Sequence, residues 1–357
     1  QAFIEPLYVW ITAGLYAVTQ GSAAAVIAAQ IAAGSALAAV IARLGERLFG
    51  RGAGACAGLL VALHPGLIVY ASLKAHQLTF DALFVALIVW QFLALRERMT
   101  VARGLWLGAT IGLSVLERPT LVVLLPAGLA WLWWLRPARA AFGRCAAAMM
   151  LCAAAVLAPW LIRTATLADR FIFVRSTSWE VFWRGNNEAA TGHSYINGGL
   201  TVLDTLPADA RQALAQRRTE WAQSEWFREQ ALAFVREHPG RFAALTLAKW
   251  FHFWWFAPQS GVLYPAVWLR GYQALYAALL ALALAAAVHI GQRGTPAQRS
   301  AMALLALTAL SVSLLQSLYY VEGRHRWAIE PLLLVLSGAQ LARWRMPGRA
   351  AQPAAAP

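Results

Sequence analysis

Residues 22–42 read SAAAVIAAQIAAGSALAAVIA, 21 residues without a charge, with Arg43 and Arg47 directly after them. A hydrocarbon core about 30 Å thick takes about 20 apolar residues of α-helix, so this run predicts a membrane span with a basic flank. The pattern recurs at roughly 54–72, 80–95, 104–117, 119–135, 143–162, 268–290, 300–320 and 327–343. Hydrophobic residues make up 60% of the chain and charged residues 13%, which no soluble globule of this size shows. The prediction is an all-α polytopic membrane protein with about nine transmembrane helices. Residues 243–257 (AALTLAKWFHFWWFA) are too short and too rich in tryptophan for a span. Lys249, His252 and the Trp250/Trp254/Trp255 cluster suit a helix lying in the interface, where amphipathic rings settle.

Arginine placement predicts orientation. The loops holding Arg43/Arg47/Arg51, Arg96/Arg98/Arg103, Arg136/Arg139/Arg144, Arg293/Arg299 and Arg343/Arg345/Arg349 carry fourteen basic residues, all on one side if the spans alternate. The opposite short loops hold only Lys74, Arg118, Arg324 and Arg326. The positive-inside rule puts the first group in the cytoplasm. The net charge of +14 is largely this topology signal, so nucleic acid is not an expected partner and the lipid bilayer is.

Between the hydrophobic blocks lies one long polar interval, which includes Arg175–Gly199, RSTSWEVFWRGNNEAATGHSYINGG. The same parity places residues 164–242 outside, in the periplasm or its equivalent. Phe171–Val174 has the composition of a short strand, and Gly185, Gly192, Gly198 and Gly199 mark turns. Pro207 to His238 reads as a helix broken once, with Leu214, Trp221, Phe227, Phe234 and Val235 as an apolar stripe and His238-Pro239-Gly240 as its stop. The expected organisation is therefore 1–21 as the end of an external loop with an interfacial helix, 22–163 as a helical core and 164–242 as the external segment. An interfacial helix and C-terminal spans follow over 243–345, and a disordered tail over 346–357. Cys56, Cys145 and Cys152 fall within spans and read as small packing residues. His76, His193 and His325 lack metal-ligand spacing, so no metal site is expected from them.

Asp81 sits one turn inside a span, where a charge costs about 2.5–3.5 kcal/mol at the centre and less near the end. Such a carboxylate calls for an acceptor, a metal or a neighbouring arginine as partner.

Several segments, in order, resemble a known family. They are Phe3-Ile4-Glu5-Pro6-Leu7-Tyr8, Ala42–Gly50, Leu78–Phe84 around Asp81, Leu116-Glu117-Arg118-Pro119-Thr120, Pro159–Arg163, the Gly185-Asn186-Asn187 run, Arg236–Phe242 and Arg324-His325-Arg326. Across nearly the whole chain they look like a bacterial integral-membrane glycosyltransferase of GT-C type, in the family 39 group of protein O-mannosyltransferases and aminoarabinose transferases. The resemblance implies a GT-C-like fold in the bacterial inner membrane. It also implies transfer of a sugar from a polyprenyl-phosphate carrier to an external acceptor, by a single inverting displacement.

A lipid-linked phosphate leaving group at headgroup depth needs cations at the external helix ends, and the arginine fork binds phosphate bidentately at any working pH. Arg118, Arg163, Arg324 and Arg326 are the candidates, each with a plain alternative as turn or headgroup anchor. Glu5 and Tyr8 are candidates for the donor and acceptor region. Asn186 and Asn187 either bond sugar or make Asx turns. No resident cofactor is implied beyond the polyprenyl-phosphate sugar as donor, with room for a divalent cation. The acceptor stays open among protein, lipid A, glycan and another lipid.

The family's catalytic carboxylate, an Asp beside a second acid, lies in a first external loop that would precede Gln1. The resemblance thus predicts that this chain alone lacks the first helix and main base and is inactive by itself. Two other classes remain: a transporter or flippase for lipid-linked glycans, and a non-catalytic assembly protein for envelope polysaccharide.

Overall fold

A computed structural model of the chain describes residues 2–196, 199–261 and 264–345; the expected turn at Gly198 and the expected disordered tail 346–357 lie outside them. Fifteen α-helices follow one another among the described residues. They are α1 (Pro6–Thr19), α2 (Ala23–Phe49), α3 (Arg51–Ala62), α4 (Pro65–Ser72), α5 (Leu78–Glu97), α6 (Val101–Glu117), α7 (Leu124–Trp134) and α8 (Arg139–Ala168). After them come α9 (Ser178–Arg184), α10 (Ala208–Ala215), α11 (Glu220–Glu237), α12 (Pro239–Trp254), α13 (Ala266–Arg293), α14 (Pro296–Gln316) and α15 (Glu330–Arg345). The protein is an all-α polytopic membrane protein. The described residues form two compact units: a membrane unit of Leu7–Val156, Tyr272–Ser311 and residues 327–345, and a polar unit of residues 2–6, Leu157–Gly271 and Val312–Arg326.

In the membrane unit the spans differ in number and continuity from the nine expected. α2, α5, α8, α13 and α14 are long and apolar enough to cross a bilayer, and α3 with α4 makes a sixth span bent by 50°. The stretches expected at 104–117, 119–135 and 327–343 form the shorter α6, a 3-10 turn (Pro119–Val123) leading into α7, and α15. The expected continuous span 54–72 breaks because Pro65 has no N–H to donate and steers His64 out of the helical region, to φ −69° and ψ 115°. His64 then caps the new helix, its Nδ1 accepting the Leu67 N–H at 3.1 Å. That bond leaves the proton on Nε2, which donates to Glu330 Oε1 at 3.1 Å. The Tyr272 hydroxyl meets the same carboxylate at 3.0 Å and takes the Trp327 indole N–H. The break is thus pinned to the start of α15.

α3 owes its position to small residues. A Cβ added at Gly54 would strike Ala42 O on α2, and one at Gly338 on α15 would lie 2.7 Å from Ala57 N. Backbones meet directly there, as small residues permit within membranes.

The polar unit has its own core of Trp183, Val202, Leu206, Trp226, Phe227 and Ala231. The helix expected at 207–238 is broken once, into α10 and α11, the second capped by Thr219 Oγ1 accepting the Ala222 N–H at 3.2 Å. α11 ends at Glu237 with His238 (φ −127°, ψ 54°) as its C-cap, the stop expected there, and Pro239 opens the next helix, α12, at its first turn, where a missing N–H is harmless. Phe171–Val174 is not a strand. Val174 adopts a left-handed φ of 63°, which interrupts extension, and its carbonyl accepts the Trp160 indole N–H at 2.6 Å. The one pairing among the described residues is an isolated bridge between Tyr195 and Thr201.

Candidate functional site

The membrane unit brings Asp81 and Arg118 together. Asp81 stands in the first turn of α5 and is fully buried. α6 ends at Glu117, and Arg118 turns extended (φ −146°, ψ 106°) because Pro119 disfavours the helical region for the residue before it. Extension carries the guanidinium back across the helix ends, and both Nε and Nη2 reach Asp81 Oδ2 at 2.7 Å. Gln77 Nε2 holds the Glu117 carbonyl at 3.1 Å and closes the turn. The Arg118 side chain keeps 13% exposure while Asp81 keeps none, so the cation is the accessible half of the pair. Glu117, the sequence neighbour of Arg118, is also fully buried. Among the described residues, no three His, Cys, Asp or Glu side chains assemble into a group able to hold a metal ion.

Tyr8 lies in the same unit, where its hydroxyl donates to Gln30 Oε1 at 2.5 Å. Sequence reasoning missed Gln30, a lone amide in an alanine-rich span. Fully buried, it also accepts the His76 N–H at 2.9 Å and donates to the carbonyls of Tyr70, Ala71 and Lys74 at 3.1, 3.0 and 2.7 Å. Two of these are end carbonyls of α4 that have no partner within the helix. Gln30 supplies it.

The polar unit holds the other candidates. Glu5 pairs with Arg175 at 2.5 Å. Arg163 is exposed and stacks over the Trp160 ring at 4.9 Å. Asn187 makes an Asx turn, its Oδ1 accepting the Ala189 N–H at 2.9 Å while Nδ2 donates to Trp183 O. Asn186 is fully buried, and its Nδ2 donates to Phe182 O and Leu318 O, each at 2.7 Å. Its Oδ1 accepts from Lys249 Nζ at 2.8 Å. Lys249, placed by its sequence context on an interfacial helix, points into this unit and is fully buried.

Arg324 pairs with Glu322 at 2.9 Å, and Ser194 Oγ donates to the same carboxylate. Arg326 is enclosed, its Nη1 donating to Phe253 O at 3.2 Å and its guanidinium lying 5.0 Å over the Phe256 ring. Burial pushes the His193 imidazole below its usual range, opposed by the Glu322 carboxylate. The histidines share one local use: Nδ1 of His76, His193 and His325 accepts a backbone N–H from Leu78, Tyr195 and Glu322 respectively. The three cysteines are free.

Residues 5–162 match the family model for dolichyl-phosphate-mannose-protein mannosyltransferases. No curated protein sequence matches the chain. In fold it is similar to a crystal structure of the oligosaccharyltransferase of Archaeoglobus fulgidus with zinc and sulfate, with a TM-score of 0.52 and 16% identity over 97% of this chain and 41% of that one. It is also similar to the archaeal oligosaccharyltransferase AglB from Archaeoglobus fulgidus in complex with an inhibitory peptide and a dolichol-phosphate. There the TM-score is 0.55 and identity 14%, over 99% of this chain and 44% of that one. The chain spans less than half the length of either structure. Its fold is GT-C-like, and over residues 5–162 its sequence is mannosyltransferase-like.

Proposed function

We propose that the protein is a membrane glycosyltransferase that moves a sugar from a polyprenyl-phosphate-linked donor to an acceptor hydroxyl on the non-cytoplasmic face of a bacterial inner membrane. The acceptor oxygen attacks the anomeric carbon, the bond from that carbon to the phosphate oxygen breaks, and configuration inverts. The acceptor proton passes to a carboxylate base, and polyprenyl phosphate leaves. The chain's own contribution is to receive and hold the phosphate, for which a preset guanidinium serves better than a flexible ammonium.

The observation that carries this reading is the Asp81–Arg118 pair. Asp81 is fully enclosed and holds two N–H groups of Arg118, whose side chain keeps 13% exposure. An arginine aimed in advance meets a developing phosphate charge without reorganising. In the polar unit, Arg324 is assigned the same kind of task, held by Glu322. Arg326, enclosed beneath its turn, supports the field at one remove, and Arg163 on Trp160 anchors to headgroups. Glu5 and Tyr8 are assigned to the surroundings of the donor, and Asn186 and Asn187 to the shape of the loop that faces the acceptor.

The test is transfer of radiolabelled sugar from polyprenyl phosphate in membranes containing the protein expressed from its full-length gene. Arg118→Ala should lower transfer at least about a hundredfold with the protein still inserted, as loss of a charged transition-state contact does. Wild-type transfer in that variant would remove the assignment. Movement of the lipid-linked sugar across the membrane without transfer would favour a flippase instead.

A further inference from the structure

We infer that Lys249 is a positioning residue, bolting the Gly185-Asn186-Asn187 turn onto the segment that carries Glu322 and Arg324, and so setting where Arg324 presents its charge. The inference rests on the reading that Arg324 meets the donor phosphate.

Lys249 is fully buried on α12, and its polar partners are two carbonyls and an amide oxygen: Gly185 O at 3.1 Å, Asn186 Oδ1 at 2.8 Å and Leu318 O at 3.4 Å. An ammonium has three donors, and three acceptors meet them. A buried amine without a carboxylate partner is costly to keep. What it achieves is to join two stretches more than a hundred residues apart in sequence. From that bolt the contacts run on continuously. Asn186 Nδ2 donates to Leu318 O at 2.7 Å. Gly185 lies against the chain at Tyr319 and Tyr320, where a Cβ would fall 2.7 Å from backbone atoms of both. Gly192, at φ 84°, lies against the Lys249 stem, and its carbonyl accepts the Val321 N–H at 2.9 Å. Ser194 Oγ then donates to Glu322, and Glu322 holds Arg324 Nη2 at 2.9 Å. The loop is a template along which residues 318–324 are laid, ending on the arginine.

The experiment is a double-mutant cycle on donor kinetics, with radiolabelled sugar on polyprenyl phosphate in phosphatidylcholine vesicles containing the full chain. Lys249→Met keeps the length of the side chain and drops its donors. The donor KM should rise about tenfold with the acceptor KM unchanged, the scale of one misplaced charge-assisted hydrogen bond. Lys249→Arg should recover part of the loss. In an Arg324→Ala background, Lys249→Met should add nothing further, because the two act through one contact. Additive losses, or equal losses in the donor and acceptor KM, would overturn the inference. Should Lys249→Met fail to insert, Ser194→Ala tests the far end of the same chain and should behave alike, its effect disappearing with Arg324→Ala. A donor KM unmoved by Arg324→Ala itself would instead reject the underlying assignment of Arg324.

Discussion

Arg118 places two nitrogens on one oxygen of Asp81, both at 2.7 Å, across the ends of two neighbouring helices. The contact forms because Pro119 pulls Arg118 out of the helix, so a backbone restriction in one position sets a side-chain direction. Removing one partner of such a pair leaves an uncompensated buried charge, which costs about 3–5 kcal/mol. Arg118→Ala should therefore lower thermal stability in detergent more than the double variant Asp81→Asn/Arg118→Ala does. Unfolding curves for the parent and the two variants decide it, and an equal or larger loss in the double variant would contradict it.

Pro119→Ala frees Arg118 to rejoin α6. Transfer should fall and the melting temperature with it, since the guanidinium no longer lies against the buried Asp81. Unchanged transfer in Pro119→Ala would show that the extended backbone at Arg118 is dispensable.

Gln30 makes five hydrogen bonds inside the membrane unit. Gln30→Leu removes the bonds that Gln30 makes to the Tyr8 hydroxyl, the His76 N–H and three carbonyls, a loss of about 0.5–1.5 kcal/mol for each. Tyr8→Phe removes a single bond and should cost about 1 kcal/mol. Melting temperatures should fall in that order. A larger loss for Tyr8→Phe would mean that Gln30 is not the hub.

Lys249 gives a pH signature. Burial pushes its ammonium down to about 7 from the ordinary 10.5. The groups facing it are the Gly185 and Leu318 carbonyls, the Asn186 amide and, at 5.9 Å, the Phe242 ring, none of them charged. Between those two values the unfolded chain holds the proton and the folded chain releases it. Stability therefore rises with pH from about 7 toward about 10, and the cost of burial is fully present below about 7. Melting curves at pH 6, 8 and 9.5 should show this slope in the parent and lose it in Lys249→Met. Identical slopes would contradict it.

What the sequence reveals here follows what is local. The apolar runs, the break between α10 and α11 and the Pro119 turn were all readable, because each depends on residues within a few positions of one another. The bend at His64-Pro65 was equally local but hidden by composition: the flanking residues are apolar enough to read as one span, and only the proline speaks against it. Gln30, Glu322 and Lys249 each reach at least one partner 40 or more positions away, and nothing in their neighbourhoods announces it. Of the two asparagines, the Asx turn belongs to Asn187, while Asn186 is taken up by Phe182, Leu318 and Lys249. The pairing of Asp81 with arginine was one of the partners its position called for, though which arginine depended on how α5 and α6 sit side by side.

The glycine contacts of α3 also bear on how the protein is made. Gly54 seats α3 against α2, its immediate predecessor, so that face is covered as soon as the hairpin forms. The face at Ala53 and Ala57 is covered by Gly338, nearly three hundred residues later. Twelve residues of α3, followed by a bend, are a weak span until that cover arrives. Synthesis therefore leaves an early helix half-seated while most of the protein emerges, and α15 completes the packing when it enters the membrane. A chain arrested before Gly338 should retain every long span yet leave Ala57 open to lipid or to a quality-control protease.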